Sequence, residues 1–421
     1  MTQLQILSVG IFLLVMAAIV SEKVHRTVAA VAGGVVLVCL RVLTVEEAMS
    51  YIDFSTLGVL IGMMLFVAVV RNSGLFEYVA IKAAKIARGD PWRIMLLFTL
   101  LTASLSAFLD NVTTVLLVGP MAIAITGILE LDPVPFLLTQ ILASNIGGTA
   151  TLIGDPPNIM IGSQAGLGFM DFVANTGVAV VFIMIAVCVC FYFMYGRKMA
   201  VAQEKMAAVL LLDEKKSIKD RSLLIKSVVM IALVILGFVF HDALGVDSCV
   251  VALAAAVIMM LIGKQDVEEI ILGVEWSTIL FFTGLFVVVG GMVQSGVITA
   301  LGNALVQVTG GDQTLLIVLI LWGSAIFSSF LDNIPFVATM IPLILSMQTS
   351  GMEVTPLWWA LSLGACLGGN GTLIGASANV VLSGISAKHG HPITFSRYLR
   401  VGFPIMLLSV VISTAYLLIR F

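Results

Sequence analysis

Charged residues are scarce in this chain. Aspartate, glutamate, lysine and arginine make up 11% of the 421 residues, whereas hydrophobic residues make up 60% and the mean hydropathy is +1.15. So few charges cannot cover a water-exposed surface, and apolar runs long enough to span a bilayer recur along the chain. The two-residue alternation of a β-barrel is not seen in the sequence. The composition therefore predicts an all-α polytopic protein of the cell membrane.

Motifs that hold metals, nucleotides or nucleic acids are missing as well. The five cysteines lie in apolar segments, and the four histidines lie in predicted loops or at span ends. Neither set has the spacing of metal ligands, and the sequence contains no Walker motif. We therefore expect no metal site, no cofactor, no nucleic-acid partner and no ATP hydrolysis by this chain, and we do not expect an enzyme.

What the sequence does contain is an internal duplication. The segment Ser106–Asn111 returns as Ser328–Asn333 after 222 positions, and Gly147–Gly154 returns as Gly368–Gly375 after 221 positions. Equivalent residues of the two copies are called repeat mates below. Matching polar breaks in two long apolar repeats are typical of secondary transporters, whose substrate site lies where the breaks meet. We assign residues 1–196 to the first repeat, 197–226 to a linker and 227–421 to the second repeat.

The two repeats are predicted to have opposite orientations in the membrane. The loop at residues 71–93 carries five lysines and arginines, whereas its counterpart at residues 294–313 carries none. Basic loops stay cytoplasmic, so the linker at residues 197–226, which carries eight, is placed in the cytoplasm. Each half has six apolar segments, but inversion requires an odd number of crossings. One segment per half must turn back.

The segments that carry Asp110 and Asp332 are the best candidates for these re-entrant hairpins, because a polar Asp-Asn pair falls near the middle of each. Irregular backbone at that depth requires a protein or water-filled surrounding. Two inverted-topology repeats with about ten transmembrane helices plus two re-entrant hairpins follow. The glycine pairs Gly147-Gly148 and Gly368-Gly369 are predicted to break a further helix in each half.

Asp110 and Asp332 are also the candidate proton- or ion-coupling residues. An acid in an apolar membrane segment is costly and is a functional candidate by default. The alternative is that each aspartate caps the returning half of its hairpin, and one carboxylate can do both. Asp155 has no acidic mate, so it is either an asymmetric ion site or a cap. Asp53 and Glu275 lie at span ends, where acids are easily solvated, and are interpreted as structural.

Neutral polar side chains flank the hairpin tips and the helix breaks, and they are candidate substrate contacts. Such groups also satisfy broken backbone or hold helices together, so both interpretations stay open. The candidate substrate-binding residues are Asn111, Thr113, Asn145, Thr149, Asn158, Asn333, Asn370, Thr372 and Asn379.

Three motifs, FLDNVTT, ASNIGGTATLIGDPPNIMIG and SSFLDNIPF, resemble those of the ion transporter superfamily, and within it the arsenite permease (ArsB)/NhaD group. The melanosomal P protein and the sodium-coupled dicarboxylate carriers are similar at a greater distance. The resemblance spans essentially the whole chain. It implies a scaffold domain and a transport domain built from the hairpins and broken helices, often in a homodimer that moves its substrate by an elevator motion.

The tips differ from the Ser-Asn-Thr signature that the resemblance implies for dicarboxylate carriers. They carry carboxylates, and no lysine or arginine is expected within the membrane to compensate them, so a neutral or cationic substrate is favoured. We predict a proton-coupled antiporter that exports arsenite or antimonite.

The alternatives are a sodium/proton antiporter, a dicarboxylate carrier and a non-transporting receptor. The candidate partners are lipid, a small inorganic substrate, protons or sodium, a second copy of the chain, and the cytosolic arsenite-stimulated ATPase that associates with some arsenite carriers.

Overall fold

The structure, a computed structural model, describes residues 2–21 and 23–421, and the secondary structure within these ranges is helical. The all-α prediction is confirmed. The first half contains α1 (Gln3–Val20), α2 (Arg26–Cys39), α3 (Val45–Ser50), α4 (Phe54–Arg71), α5 (Leu75–Ile86), α6 (Pro91–Ser106), α7 (Asn111–Leu129), α8 (Val134–Gly148), α9 (Pro156–Ala165), α10 (Phe169–Phe172) and, after a π-helical turn at Val173–Gly177, α11 (Val178–Met194).

A polar connection that holds one α-helix, α12 (Gln203–Leu210), joins the two halves. The second half then repeats the order of the first. It contains α13 (Arg221–Phe240), α14 (Ser248–Gly263), α15 (Val267–Leu272), α16 (Trp276–Gln294), α17 (Val297–Thr309), α18 (Gln313–Phe330), α19 (Asn333–Thr349), α20 (Thr355–Gly368), α21 (Ser377–Lys388) and α22 (Phe395–Arg420). Helix α13 begins at Arg221, so the linker predicted to reach residue 226 ends inside a helix.

Eight of the described helices are long and apolar enough to cross a membrane, and shorter apolar helices complete the set. Each half supplies four unbroken crossings and one broken helix. In the first half these are α1, α2, α4, α11 and the broken pair α8–α9, and their mates are α13, α14, α16, α22 and the broken pair α20–α21. These ten crossings and the two hairpins match the predicted architecture.

The two hairpins turn back within the fold. Gly89, just before α6, packs against the backbone of α12. Glu130, just after α7, pairs with Lys205 of α12 at 2.5 Å. Both ends of the first hairpin therefore lie on the linker's side. In the second hairpin, the Gln313 side chain at the start of α18 lies 3.5 Å from the carbonyl oxygen of Glu353, which follows α19.

Two helices occupy segments that the sequence analysis treated as loops. Helix α5 lies within residues 71–93 and α17 lies within residues 294–313. Each begins after a glycine in the left-handed conformation, Gly74 (φ 78°) or Gly296 (φ 75°), and each buries one apolar stripe only. Their strongly amphipathic pattern, with charged or polar residues on the other face, is what resembled a loop.

The repeats are interleaved through four helices, α2, α4, α14 and α16, called the scaffold helices below. Helix α2 packs along α16, and α4 packs along α14. Gly62 of α4 and its mate Gly284 of α16 permit this close approach, because a Cβ at either would lie 2.6 Å from a backbone carbon of Ala252 or Ala30. The scaffold is thus formed from both repeats at once.

The hairpins and broken helices, called the core helices below, are interleaved in the same way. Helix α7 of the first hairpin packs on α21, and α19 of the second hairpin packs on α9. Gly147 and its mate Gly368 seat the broken helices on the hairpins, since a Cβ would lie 2.2 Å from the Ala103 oxygen or 2.6 Å from the Ala325 oxygen. This packing brings both hairpin tips and both breaks together.

Candidate functional site

The first hairpin tip carries Asp110 as the N-cap of α7. Its carboxylate accepts a hydrogen bond from the Thr113 main-chain N–H at 2.8 Å and a second one from the Thr113 hydroxyl at 2.5 Å. The next residue, Asn111, is buried and donates to the Asn145 side-chain oxygen at 3.2 Å. The capping role is therefore present in the structure, and it leaves lone pairs of this carboxylate free for another donor.

The second tip differs because its carboxylate is paired with an arginine. Arg26 Nη1 lies 2.7 Å from Asp332 Oδ2 and 2.7 Å from Ser377 Oγ, and Nη2 lies 3.4 Å from Thr278 Oγ1. The guanidinium also lies 5.1 Å from the ring centroid of Phe281. The prediction that no arginine or lysine compensates the tip carboxylates is wrong. Arg26 opens helix α2, and the fold brings that helix end against the tip.

Asp155 lies at the start of α9 and is 1% exposed. Both of its carboxylate oxygens lie 3.4 Å from the Asn333 side-chain nitrogen. Its side chain does not make a capping hydrogen bond to α9 among the described residues. The first tip, the second tip and this break therefore each place a carboxylate in the same region of the protein.

Asp110 and Asp155 line one small cavity, called the central cavity below, and Asp332 lies beside it on Arg26. It measures about 30 Å³, room for about one water-sized particle. Its polar lining residues are Arg26, Asp110, Asn111, Asp155, Glu275, Thr278, Asn333 and Ser377. Among the described residues that line it, Asp110, Asp155 and Glu275 are acids and Arg26 is the one base, so the formal charge around the cavity is −2 when every group is ionised.

Glu275 was interpreted as a structural acid at a span end, but it faces the central cavity and accepts a hydrogen bond from the Thr278 hydroxyl at 3.0 Å. Its mate Asp53 is not solvated either. Asp53 is 7% exposed and accepts hydrogen bonds from Ser163 at 2.9 Å and Gln164 at 3.0 Å. The two mates therefore have different surroundings, and only Glu275 lies beside the hairpin tips.

Most of the neutral candidates bind one another or the broken backbone. The Asn145 side-chain nitrogen lies 2.9 Å from the side-chain oxygens of both Asn370 and Asn379. Asn158 donates to the Thr151 carbonyl at 2.9 Å, and Asn379 donates to the Gly369 carbonyl at 2.8 Å. These amides replace the hydrogen bonds that the helix breaks remove.

The two candidate threonines of the breaks also bond inward. The Thr149 hydroxyl donates to the Asn145 carbonyl at 2.7 Å, and the Thr372 hydroxyl donates to the carbonyl of Ser329. Of the candidate substrate-binding residues, Asn111 and Asn333 are the ones that line the central cavity. The structure brings together the two tips and Asp155 but places the amide network behind them.

A larger cavity, called the vestibule below, leads to the paired tip. It measures about 390 Å³, and its lining includes Arg26, Asp332 and Ser377 together with apolar residues of α1 and α21 such as Val380. It opens near the α1–α2 connection. From this connection the chain crosses once through α2 and returns through α4, so the connection and α5 lie on the same side. Helix α5 contacts the linker, because Lys85 pairs with Glu214 at 2.6 Å. The vestibule therefore opens on the linker's side.

Arg26 and Glu275 are the site residues that sequence reasoning missed. Charged side chains at span ends usually reach the interface, so their position in the sequence carried no functional signal. One signal was available for Arg26, because its mate is Ser248. An arginine that is not duplicated, beside a duplicated acid motif, marks an asymmetry between the repeats.

Comparison with known proteins identifies the family and the fold. The chain matches the family described as "CitMHS: Citrate transporter" over residues 16–364. It is 41% identical over 425 residues to an uncharacterized transporter of Mycobacterium tuberculosis, with 99% of both chains covered. It is 35% identical over 493 residues to the human P protein, which covers 96% of this chain and 58% of that protein.

The fold is similar to a solved structure, the YdaH transporter of Alcanivorax borkumensis, whose description reports an unusual topology. The TM-score is 0.60, the identity is 15%, and the match covers 99% of this chain and 98% of that one. At this identity the likeness concerns the fold alone. The predicted resemblance to ion transporters is confirmed at that level, while the arsenite permease/NhaD group stays a prediction. The chain thus belongs to the citrate transporter (CitMHS) family of polytopic membrane transporters.

Proposed function

We propose that this chain is a proton-coupled antiporter that exports a neutral metalloid hydroxide, arsenite or antimonite. One observation supports this proposal above the others: carboxylates from the first hairpin tip, one helix break and the start of α16 line one cavity, and the carboxylate of the second tip lies beside it on Arg26. Carboxylates with little access to water take up and release protons in the range where proton gradients operate. A carrier of this kind uses the inward movement of protons to drive its cargo outward.

The charge of the central cavity bears on the cargo. Asp110, Asp155 and Glu275 line it, with Arg26 as the single base among the described lining residues. A free tricarboxylate would meet a net negative site, and like charges repel strongly where the effective dielectric constant is low. A neutral hydroxide is not repelled, and it can donate hydrogen bonds to the carboxylates and accept them from the tip amides.

A sodium/proton antiporter is the second candidate, and the size and chemistry of the central cavity favour it. The cavity has room for about one water-sized particle, with a volume of about 30 Å³. Its lining supplies carboxylate and amide oxygens, the ligand type that hard cations prefer. In this case sodium and protons would occupy the same aspartates in turn.

The test compares both cargoes in everted membrane vesicles with an imposed pH gradient. Arsenite uptake and sodium-dependent proton movement are measured side by side for the parent, Asp110→Asn and Asp332→Asn. The matched control is Asp132→Asn, because Asp132 is an exposed acid that pairs with Arg397 at 2.6 Å on the surface. Labelled citrate is included as a third cargo.

We expect arsenite uptake in the parent and the control, and at least a tenfold loss in both tip variants. A sodium response without arsenite uptake would replace the first candidate by the second. Citrate uptake would contradict the argument from the charge of the central cavity, and activity that is equal in all four proteins would contradict the assignment of the tip carboxylates.

A further inference from the structure

We infer that Arg26 is a lock that holds the unloaded carrier in the state seen here. It does so by serving as an internal counter-cation for Asp332. This inference rests on the proposed proton coupling and adds a residue to it. It means that the transport core leaves this state only when a proton, or a cargo that binds that carboxylate, takes the place of the arginine.

The contacts of Arg26 join the parts that must separate during transport. Its partners Asp332 and Ser377 belong to the core helices, at the second hairpin tip and the start of α21. Its other partners, Thr278 and Phe281, belong to the scaffold helix α16. The ion pair is therefore made across the boundary between scaffold and core, and it breaks when one slides along the other.

The lock exists on one side only. The mate of Arg26 is Ser248 at the start of α14, and the residue before it, Asp247, accepts a hydrogen bond from Ser55 at 2.8 Å. When the two repeats exchange their arrangements, the start of α14 takes the place of the start of α2 beside a hairpin tip. That position then offers a hydroxyl and an acid in place of a guanidinium. Asp332, removed from Arg26, would be a buried carboxylate without its cation, which is strongly unfavourable.

The pair is also accessible to a competitor. The Arg26 side chain is 28% exposed and the Asp332 side chain is 13% exposed, and both line the vestibule on the linker's side. A proton or a cargo that arrives through the vestibule can therefore reach the carboxylate and displace the guanidinium. An empty core, in contrast, stays bound to Arg26. After it has released a proton it cannot return without cargo, so there is no net proton flux when cargo is absent.

Two repeat mates report the state directly. Val380 lines the vestibule and is 48% exposed, whereas its mate Ile159 is 3% exposed. Exchange of the two arrangements buries position 380 and exposes position 159. A cysteine at either position, in a variant whose five native cysteines are replaced by alanine or serine, thus reports on one state by its rate of reaction with a membrane-impermeant maleimide.

The first experiment measures these labelling rates in Arg26→Gln, Arg26→Lys and the parent, in vesicles of both orientations and without cargo. We expect Arg26→Gln to slow labelling at position 380 at least threefold and to speed labelling at position 159. Arg26→Lys should restore the parent rates. Asp332→Asn should reproduce the shift of Arg26→Gln, and the double variant should add nothing. Unchanged rates in both single variants would overturn the lock, whatever the cargo is.

The second experiment measures proton flux in proteoliposomes with a pH gradient and no cargo. We expect Arg26→Gln to raise this flux at least fivefold over the parent, and Arg26→Lys to leave it low. A shift in labelling without proton flux in any variant would overturn the proposed coupling while keeping the lock. Proton-coupled transport in the parent with no leak and no labelling shift in Arg26→Gln would overturn the lock alone.

Discussion

The inverted repeats predict a second state and the distance that separates it from the state seen here. Asp53 and Glu275 occupy equivalent positions at the starts of α4 and α16. Asp53 contacts Ser163 and Gln164 near the end of α9, whereas Glu275 shares the central cavity with Ser377 at the start of α21. Equivalent scaffold residues thus meet the two broken helices at different levels.

The displacement follows from this difference in level. The mate of Ser377 is Pro156, and Pro156 precedes Ser163 and Gln164 by seven and eight residues. At 1.5 Å of rise per helical residue, the core must slide by about 11 Å relative to the scaffold to exchange the two arrangements. Asp53 would then lie beside the start of α9.

Two cysteine pairs test this displacement in a cysteine-free background. Asp53→Cys with Ser163→Cys should form a disulfide in the present state, since the native side chains are 2.9 Å apart. Glu275→Cys with Gly384→Cys is the mated pair, and it should form a disulfide only in the second state. Gly384 has open space around its Cα, so the new side chain is accommodated.

The disulfide between positions 53 and 163 should stop transport, and reduction should restore it. The pair Asp53→Cys with Gly384→Cys is the control and should not crosslink in either state. If the mated pair of Glu275 and Gly384 never crosslinks under an imposed ion or pH gradient, although the first pair does, the exchange of the two arrangements is refuted. A core displacement below about 5 Å by pulsed electron spin resonance would refute the calculated distance.

Two further substitutions test the packing that supports the site. Gly62→Ala should destabilise the protein by about 1–3 kcal/mol, because the added methyl group meets the Ala252 backbone. Gly127→Ala, where the space is open, is the control and should not destabilise it. Thermal unfolding in detergent compares the two variants, and equal melting temperatures would contradict the close helix contact. Asn158→Ala should lower the free energy of unfolding by about 1–3 kcal/mol for each carbonyl group left without a donor. Asn175→Ala, at a partly exposed site, is the control. Wild-type stability and activity in Asn158→Ala would show that the break does not need this amide.

The hairpins, the breaks and the inversion could be predicted from the sequence because their signals are rare and repeated. An Asp-Asn pair in the middle of a long apolar run is costly at one place, and its return after 222 positions makes chance a poor explanation. Loop charges then orient each half. These features depend on the local sequence and on how each segment partitions between membrane and water, and both follow directly from residue type and order.

The cation of the site could not be predicted, because its position depends on tertiary structure. Arg26 and Asp332 are separated by 306 positions, and the arginine belongs to a scaffold helix of the other repeat. Only the interleaving of α2 with α16 places its side chain beside the tip. The same holds for Glu275, which at a span end is indistinguishable from an ordinary interfacial acid until the core is seen beside it.

The asparagine side chains near the breaks show a different limit of prediction from sequence. Sequence reasoning correctly located Asn145, Asn158, Asn370 and Asn379 near the breaks, but it could not divide their hydrogen bonds between backbone, partners and substrate. In the structure these four side chains bond to one another and to carbonyl groups of the breaks. Their contact with cargo stays a prediction, whereas Asn111 and Asn333 line the central cavity.

Proton release on cargo binding tests the central claim most directly, because it needs neither a membrane gradient nor a full transport cycle. Purified protein in weakly buffered detergent is mixed with arsenite or with sodium, and the pH change is recorded for the parent and for the variant that combines Asp110→Asn, Asp155→Asn and Asp332→Asn. We expect the parent to release protons with one of the two cargoes and the triple variant to release none. Binding of either cargo without proton release, or equal release by both proteins, would contradict the central claim.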